Sequence, residues 1–467
     1  MSSGPGSGRN AAIVGSGPAG FYAADFLLKA GFAVDLYERL PAPFGLVRYG
    51  VAPDHQTIKR VAAAFDRTAK TPGFRFVGNA TVGSVIAVEE LRRAYSVVVL
   101  AYGASSDRQL GVPGEALSGS HAATRFVAWY NAHPDFVGET FDLDTERAVV
   151  VGMGNVALDV ARVLLRSTKD LAATDIADYA LEALEKSRVR EVVLLGRRGP
   201  AQAAFDQGEL EDIVDLPNVS VSVEGAIELE VPADADAAVR KNVEFLRTLP
   251  REPSPDAERR LRLVFLASPV ELLGAGGKVS AIRYEENELV EKGGSISARG
   301  TGRIHELATG FVVRSIGYQG LAIPGVPFDA KRGVVPNEAG RVLGEDKKPL
   351  AGLYATGWIK RGPSGLIGTN KACAKETTDL ALLDLPTLPV PTGDPNALIA
   401  KVPAAVDYDG WRLIDALELE RGKGRGKVRD KLTVVAHMLE TPRKPSLDPG
   451  HCARAIHTPR ASPKGTV

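Results

Sequence analysis

The chain has 467 residues, 44% of them hydrophobic, too many for one ordinary core and enough for roughly two to three domains of about 150 residues each. Lys+Arg and Asp+Glu both number 57, so no global charge argues for a nucleic-acid or membrane partner. From the two cysteines, Cys373 and Cys452, no disulfide framework, zinc site or iron–sulfur cluster follows, and the absence of a Cys-x-x-Cys pair argues against a dithiol flavoenzyme.

No run of about 20 apolar residues occurs, so no transmembrane helix is expected. Met1 to Asn10 is small and Gly/Ser-rich, without the apolar core of a signal peptide or the Arg-rich helix of a transit peptide. It reads as a loose head on a cytoplasmic protein. The first element is an apolar strand, Ala11 to Val14, running into Gly15-Ser16-Gly17-Pro18-Ala19-Gly20. A helical pattern follows, with Phe21, Ala24, Leu27 and Leu28 on one face, and then a strand, Ala33 to Tyr37, that ends at Glu38. A Pro-rich segment spans Pro41 to Pro53, and a helix is predicted from about Gln56 to Lys70. Strand signals return at Phe74 to Val77, Ala80 to Val85 and Val97 to Ala101.

Near Ala148 the pattern restarts. Ala148 to Val151 leads into Gly152-Met153-Gly154-Asn155-Val156-Ala157 and an amphipathic helix through Leu165. A helical insertion precedes the strand Glu191 to Leu195, which ends in Gly196-Arg197-Arg198. Helix and loop are expected from about Pro232 to Arg260, and strands at Gly310 to Ile316 and Gly352 to Ala355. Arg361 to Gly365 opens a predicted helix through Ala381, and the tail after Pro442 is rich in Pro, Ser and Gly, the composition of a poorly ordered end.

Two dinucleotide-binding units therefore share one chain. In the first, Gly15 allows a tight turn, Gly17 lets the backbone approach a pyrophosphate and Gly20 lets helix and strand pack closely. The helix N-terminus presents free N–H groups to the phosphates, with Ala19 in its first turn. Glu38 ends the second strand, where a carboxylate can take both ribose hydroxyls. This unit alone fits FAD or NAD. The Pro-rich loop and Gly357-Trp358 favour FAD, because a flavin ring needs a large covered slot. In the second unit, Gly152-x-Gly154-x-x-Ala157 is followed at the next strand end by Arg197 and Arg198, where an NAD site would carry an acid. Two guanidinium forks there suit a 2′-phosphate and point to NADP.

Ala12 to Gly20, Pro43-Phe-Gly-Leu-Val-Arg-Tyr-Gly-Val-Ala-Pro-Asp-His55, Gly154 to Arg162, Gly196 to Pro200 and Gly357-Trp-Ile-Lys-Arg-Gly-Pro-Ser-Gly365 resemble, in order, motifs of the adrenodoxin reductase family, which includes bacterial NADPH–ferredoxin reductases. The resemblance covers about residues 10 to 440. It implies an α/β protein with two Rossmann-like domains, the NADP domain inserted into the FAD domain: 1–104 and 320–467 for FAD, 105–319 for NADP. It implies FAD contacts at Ala19, Glu38, Leu46, Val82, Trp358, Gly365, Leu366 and Ile367. For NADP it implies Arg108, Met153, Asn155, Val156, Arg197, Arg198 and Glu209, with Gly365 between the cofactors. His55 and an acid at 212 match places near the flavin. The chain departs from the family pattern with Asp212 in place of Glu and with Tyr102 before Gly103.

The implied activity is hydride transfer from NADPH to FAD and single-electron delivery to ferredoxin or a similar small acidic iron–sulfur protein, by a monomer. Such chemistry belongs to the cofactor and strictly requires no side-chain acid or base. His55 is either a hydrogen-bonded helix-start residue or a control on proton or potential; Asp212 is either solvated or part of the same control. Cys373, beside Ala372 and Ala374, reads as packed. Arg240 and Lys241 match a basic cluster that faces the carrier in the family, and Arg421 to Arg429 is a second basic run. A general NADPH dehydrogenase acting on quinone-like acceptors and a non-catalytic nucleotide-sensing flavoprotein are the alternatives. Glutamate synthase-type relatives usually carry cysteine clusters that this chain lacks.

Overall fold

The computed structural model describes residue 6, residues 8–225 and residues 229–443. Cys452 and the Pro-rich tail beyond 443 lie outside them. The strands are β1 (Asn10–Val14), β2 (Ala33–Tyr37), β3 (Phe74–Val77), β4 (Val97–Leu100), β5 (Ser106–Asp107), β6 (Ser120–Ala122), β7 (Arg147–Val151), β8 (Glu191–Gly196) and β9 (Val219–Glu224). They continue as β10 (Arg259–Phe265), β11 (Ala267–Ala275), β12 (Lys278–Lys292), β13 (Ser295–Ala308), β14 (Phe311–Arg314), β15 (Tyr318–Gln319), β16 (Asn337–Glu338), β17 (Arg341–Leu343) and β18 (Pro349–Ala355).

Two parallel-cored sheets organise the chain. The first runs β16-β17-β18-β4-β1-β2-β3, with only β16 and β17 antiparallel. The second runs β6-β14-β7-β8-β10-β9 and is parallel throughout. Apolar residues on both sides of each strand explain this arrangement. Ala11, Ile13, Val97 and Val99 enter one core layer, while Ala12, Val14, Val98 and Leu100 enter the layer on the opposite face. In β7, Ala148 and Val150 face one layer and Val149 and Val151 the other. Strands buried on both faces read as continuous apolar runs, which is why sequence found them.

The chain passes from the first sheet to the second through β5 and returns through β15. These two strands pair antiparallel, Ser106 with Gln319 and Asp107 with Tyr318. A third, antiparallel sheet, β11-β12-β13, packs on the second.

Several local expectations are corrected. Ala80–Val85 is not a strand: Gly83 has φ +100° and turns the chain, leaving only a bridge between Val82 and Ile86. The Gln56–Lys70 helix breaks into Gln56–Lys59 and Ala62–Ala69. The late helix begins at Thr369 and not near Arg361, because Gly362 and Gly365 take φ +87° and +76°. Asn10, placed in the loose head, is the first residue of β1.

Candidate dinucleotide and flavin sites

The first glycine loop is shaped by contacts that exclude side chains. A Cβ at Gly15 would lie 2.6 Å from the Tyr102 Cα, and one at Gly20 would lie 2.0 Å from the Gly15 carbonyl oxygen. Gly17, by contrast, has nothing within 4 Å of its Cβ direction, so its open side remains free for a ligand. The helix Pro18–Lys29 starts here with proline in its first turn, where no backbone donor is lost. Ala19 is buried in that turn, and its Cβ stands 2.6 Å from the Cβ direction of Gly357. The Gly357–Trp358 corner is thus drawn onto the N-terminal end of the first helix.

Glu38 closes the loop from the other side. Its carboxylate accepts from the Ser16 N–H (3.0 Å), the Ser16 hydroxyl (2.6 Å) and the Leu40 N–H (3.1 Å). The Pro-rich segment folds over this corner. Phe44 N–H donates to the Ser16 carbonyl at 3.1 Å, and Phe44 and Gly45 both take positive φ to make the turn. Phe44 then anchors among Phe21, Phe65 and Trp411, leaving Leu46 at the surface, 36% exposed. Behind it Arg48 is buried against Glu418 at 2.6 Å. Val82 belongs to the apolar layer that also holds Val14 and Tyr37. The Trp358 indole N–H donates to the Ser364 carbonyl at 3.2 Å, and the Tyr318 ring lies 5.4 Å away. Leu366 is 59% exposed, and Gly365 and Ile367 flank it on the same loop. Cys373 is packed, as expected: Thr356 Oγ1–H and Gly357 N–H donate to its Sγ.

In the second unit a Cβ at Gly152 would lie 2.2 Å from the Ser315 carbonyl oxygen, while Gly154 is open at ordinary contact distance. The helix Asn155–Leu165 starts at this loop. A neighbour that sequence did not single out, Ala203–Asp206, runs beside it. Ala204 N–H donates to the Met153 carbonyl at 2.8 Å, and Asn155 exchanges two 2.8 Å bonds with Asp206. Met153 and Val156 are half-buried against the core. Arg197 and Arg198 follow β8 with exposed side chains. Arg108 is exposed just after β5, its N–H bonded to the Gly317 carbonyl at 3.2 Å.

Between the two units lies a charged cluster. His55 Nε2 is 3.0 Å from Asp212 Oδ2, and Nδ1 is 3.5 Å from Glu209 and 3.8 Å from Asp159. His55 begins a helix but its side chain does not cap it. Arg162, fully buried, pairs with Asp54 (2.8 Å), Asp159 (2.5 Å) and Glu209 (3.2 Å), and Arg166 adds a second partner for Asp54 (3.0 Å). Burial opposes the charges of Asp54, Asp159, Arg162 and Glu209. At Asp54 the two arginines outweigh it and hold the carboxyl below its usual range. At Asp159 burial prevails and pushes the carboxyl up. At Glu209 burial and the Asp159 charge do the same. Glu209, which the resemblance implies as a coenzyme contact, lies beside Arg162 and His55 in this cluster. Sequence missed Asp54, Asp159 and Arg162 as a set, and the only available signal was charge inside otherwise motif-like segments.

Residues 9–198 match the family described as pyridine nucleotide-disulphide oxidoreductase. The chain is 46% identical to the NADPH-ferredoxin reductase FprA of Mycobacterium tuberculosis over 453 residues, 92% of this chain and 98% of that protein. The chain belongs to the NADPH–ferredoxin reductase family. A second member, the mitochondrial NADPH:adrenodoxin oxidoreductase of Arabidopsis thaliana, is 43% identical over 91% of this chain and 94% of its own. The solved structure of Mycobacterium tuberculosis FprA in complex with NADPH superposes with a TM-score of 0.87 at 44% identity, covering 93% of this chain and all of that one. The family fold, with two dinucleotide-binding units, is thus the fold of this chain, and among the described residues no helix is long and apolar enough to cross a membrane.

Proposed function

We propose that the chain is an FAD-dependent NADPH–ferredoxin oxidoreductase. The observation that carries this reading is the pairing of two open glycine loops in one chain, one with the Pro-rich segment folded against it, the other followed by two exposed arginines. The residues fit both cofactors. A Cβ is tolerated least where the backbone must turn and is absent where phosphate would approach. The chemistry that bound FAD supplies is acceptance of two electrons as hydride and their release one at a time.

In this reading the backbone at Gly15, Gly17, Ala19 and Gly20 holds the FAD pyrophosphate and Glu38 the ribose. Leu46, Val82, Trp358, Gly365, Leu366 and Ile367 wall the ring and exclude water. Gly152 to Val156 hold the NADPH pyrophosphate, Arg197 and Arg198 the 2′-phosphate, with Arg108 nearby. His55 Nε2 lies against Asp212, while Glu209 and Asp159 face Nδ1. The cluster thereby orients His55 at the junction of the two units. We place the unit boundaries at 104/105 and 319/320, and the protein as a cytoplasmic monomer.

Arg240 and Lys241 lie exposed on the helix Ala237–Thr248 and form no ion pair among the described residues, which suits an acidic iron–sulfur carrier. The other basic run serves the fold instead. Arg421, Arg425, Lys427 and Arg429 pair with Asp430, Asp178, Asp415 and Glu418. The test is NADPH-driven cytochrome c reduction with and without a low-potential ferredoxin, with NADH as control. Strong stimulation by ferredoxin and a large NADPH preference are expected. Equal rates with and without it would replace this reading with a general NADPH dehydrogenase, and no turnover would favour a sensing flavoprotein.

A further inference from the structure

The antiparallel ribbon β12–β13 outruns its neighbour. Pairing of β11 with β12 begins at Ala267 and Glu286, whereas β12 and β13 stay paired from Asn287 and Gly300 out to Lys292 and Ser295. The register shifts between Glu285 and Asn287, a bulge of the kind that re-aims one side chain. Here it turns Asn287 inward, leaving it only 5% exposed. Its Nδ2 donates to the Arg197 carbonyl and to Ser268 Oγ, both at 2.8 Å. Its backbone N–H donates to the Leu266 carbonyl at 2.7 Å, and Leu266 N–H donates to the Arg198 carbonyl at 3.1 Å. Leu266 holds φ +53° to make that bond. Leu289, on the same overhang, lies 3.2 Å from the Cβ direction of Gly199.

The carbonyls of both arginines are therefore pinned, one directly and one through Leu266. Their guanidinium groups are exposed and make no hydrogen bond or ion pair among the described residues. A fixed base under free cationic heads is a receptor whose ordering is completed before the anion arrives. We propose that Asn287 is a positioning residue for coenzyme choice: by fixing the backbone of Arg197 and Arg198 it sets the preference for a 2′-phosphorylated nicotinamide coenzyme. This rests on the reading of the arginine pair as the 2′-phosphate site, and goes beyond it by placing part of the selectivity on a strand some 90 residues away in sequence.

The test compares Asn287→Ala and Ser268→Ala with Arg198→Ala in the FAD-loaded enzyme. Three quantities are read: kcat and KM with NADPH, the same constants with NADH, and the dissociation constant of 2′,5′-ADP. Asn287→Ala is expected to raise the NADPH KM and the 2′,5′-ADP constant about tenfold, the effect of one lost buried hydrogen bond, with kcat and the NADH constants unchanged. Ser268→Ala should move the same two quantities less, and carries the test if Asn287→Ala does not fold. A lowered kcat with both coenzymes, or an unmoved 2′,5′-ADP constant alongside a large Arg198→Ala effect, overturns the positioning role alone. An Arg198→Ala enzyme that still prefers NADPH as strongly overturns the phosphate-site reading and the proposal with it.

Discussion

Arg162 gathers carboxylates from distant parts of the chain: Asp54 from beside the first sheet, Asp159 from its own helix and Glu209 from the helix Gln207–Val214. Removing its charge leaves these groups facing one another without a buried counter-ion. Arg162→Met should therefore destabilise the protein by about 3–5 kcal/mol, measured by urea unfolding of the FAD-loaded enzyme. Arg198→Ala acts on a free guanidinium and should leave stability unchanged. It should raise the NADPH KM roughly 10- to 100-fold, the loss of one charge-assisted contact of about 1.5–3 kcal/mol, while NADH kinetics stay as they were. The arginine pair was legible because it stands at a fixed place after a strand. The Arg162 cluster was not, because ion pairing between residues 108 apart leaves no local pattern. Asp212 falls between: its family position named it, but only the fold brings its carboxylate to His55.

At the scale of elements, legibility followed burial. Strands such as Val97–Leu100, apolar at every position, declare themselves, and each glycine loop is bracketed by one of them. The ribbon β12–β13 carries Glu, Arg, Lys and Ser along exposed faces, so neither a continuous apolar run nor a hairpin dipeptide marks it strongly. It went unread, and with it the support under Arg197 and Arg198. The first glycine loop offers the sharpest element-level test. Gly20→Ala places a methyl 2.0 Å from the Gly15 carbonyl oxygen, so loop and helix must separate. The variant should lose most of its yellow colour on desalting, measured as the flavin-to-protein absorbance ratio, even where far-UV circular dichroism shows it folded.

For the whole molecule, acid is the relevant stress. Burial depresses His121 to about 4 and His133 likewise to about 4, from an ordinary value near 6.5. Both are neutral when folded, so above pH 6.5 neither favours either state. As pH falls from 6.5 towards 4 the unfolded chain takes up protons that the folded chain refuses, and stability drops. Asp54, held low by Arg162 and Arg166, adds to the loss further down, since its contribution disappears as the folded carboxyl protonates. Unfolding free energies from urea titrations should therefore fall steadily below pH 6.5, by roughly 1–3 kcal/mol per histidine at pH 4; a free energy flat to pH 5 would contradict the buried-neutral assignment. Carrier docking makes a second prediction at this scale. Arg240→Ala with Lys241→Ala should raise the KM for ferredoxin several-fold and flatten its dependence on salt, leaving ferricyanide reduction untouched.

The pairing of β5 with β15 has a consequence for how the chain can be cut and rejoined. Strands that pair directly hold their Cα atoms about 5 Å apart, so the entry and exit of the second unit sit side by side. Everything between them is a cassette. Lifted out, it would leave a gap that a bridge of about two residues can span, and the cassette's own ends would be close enough to join into a circle. Excision parts Asp54 from both Arg162 and Arg166, which leave with the cassette, whereas Arg162 keeps Asp159 and Glu209; the rejoined remainder should therefore carry a neutral residue at position 54 from the start.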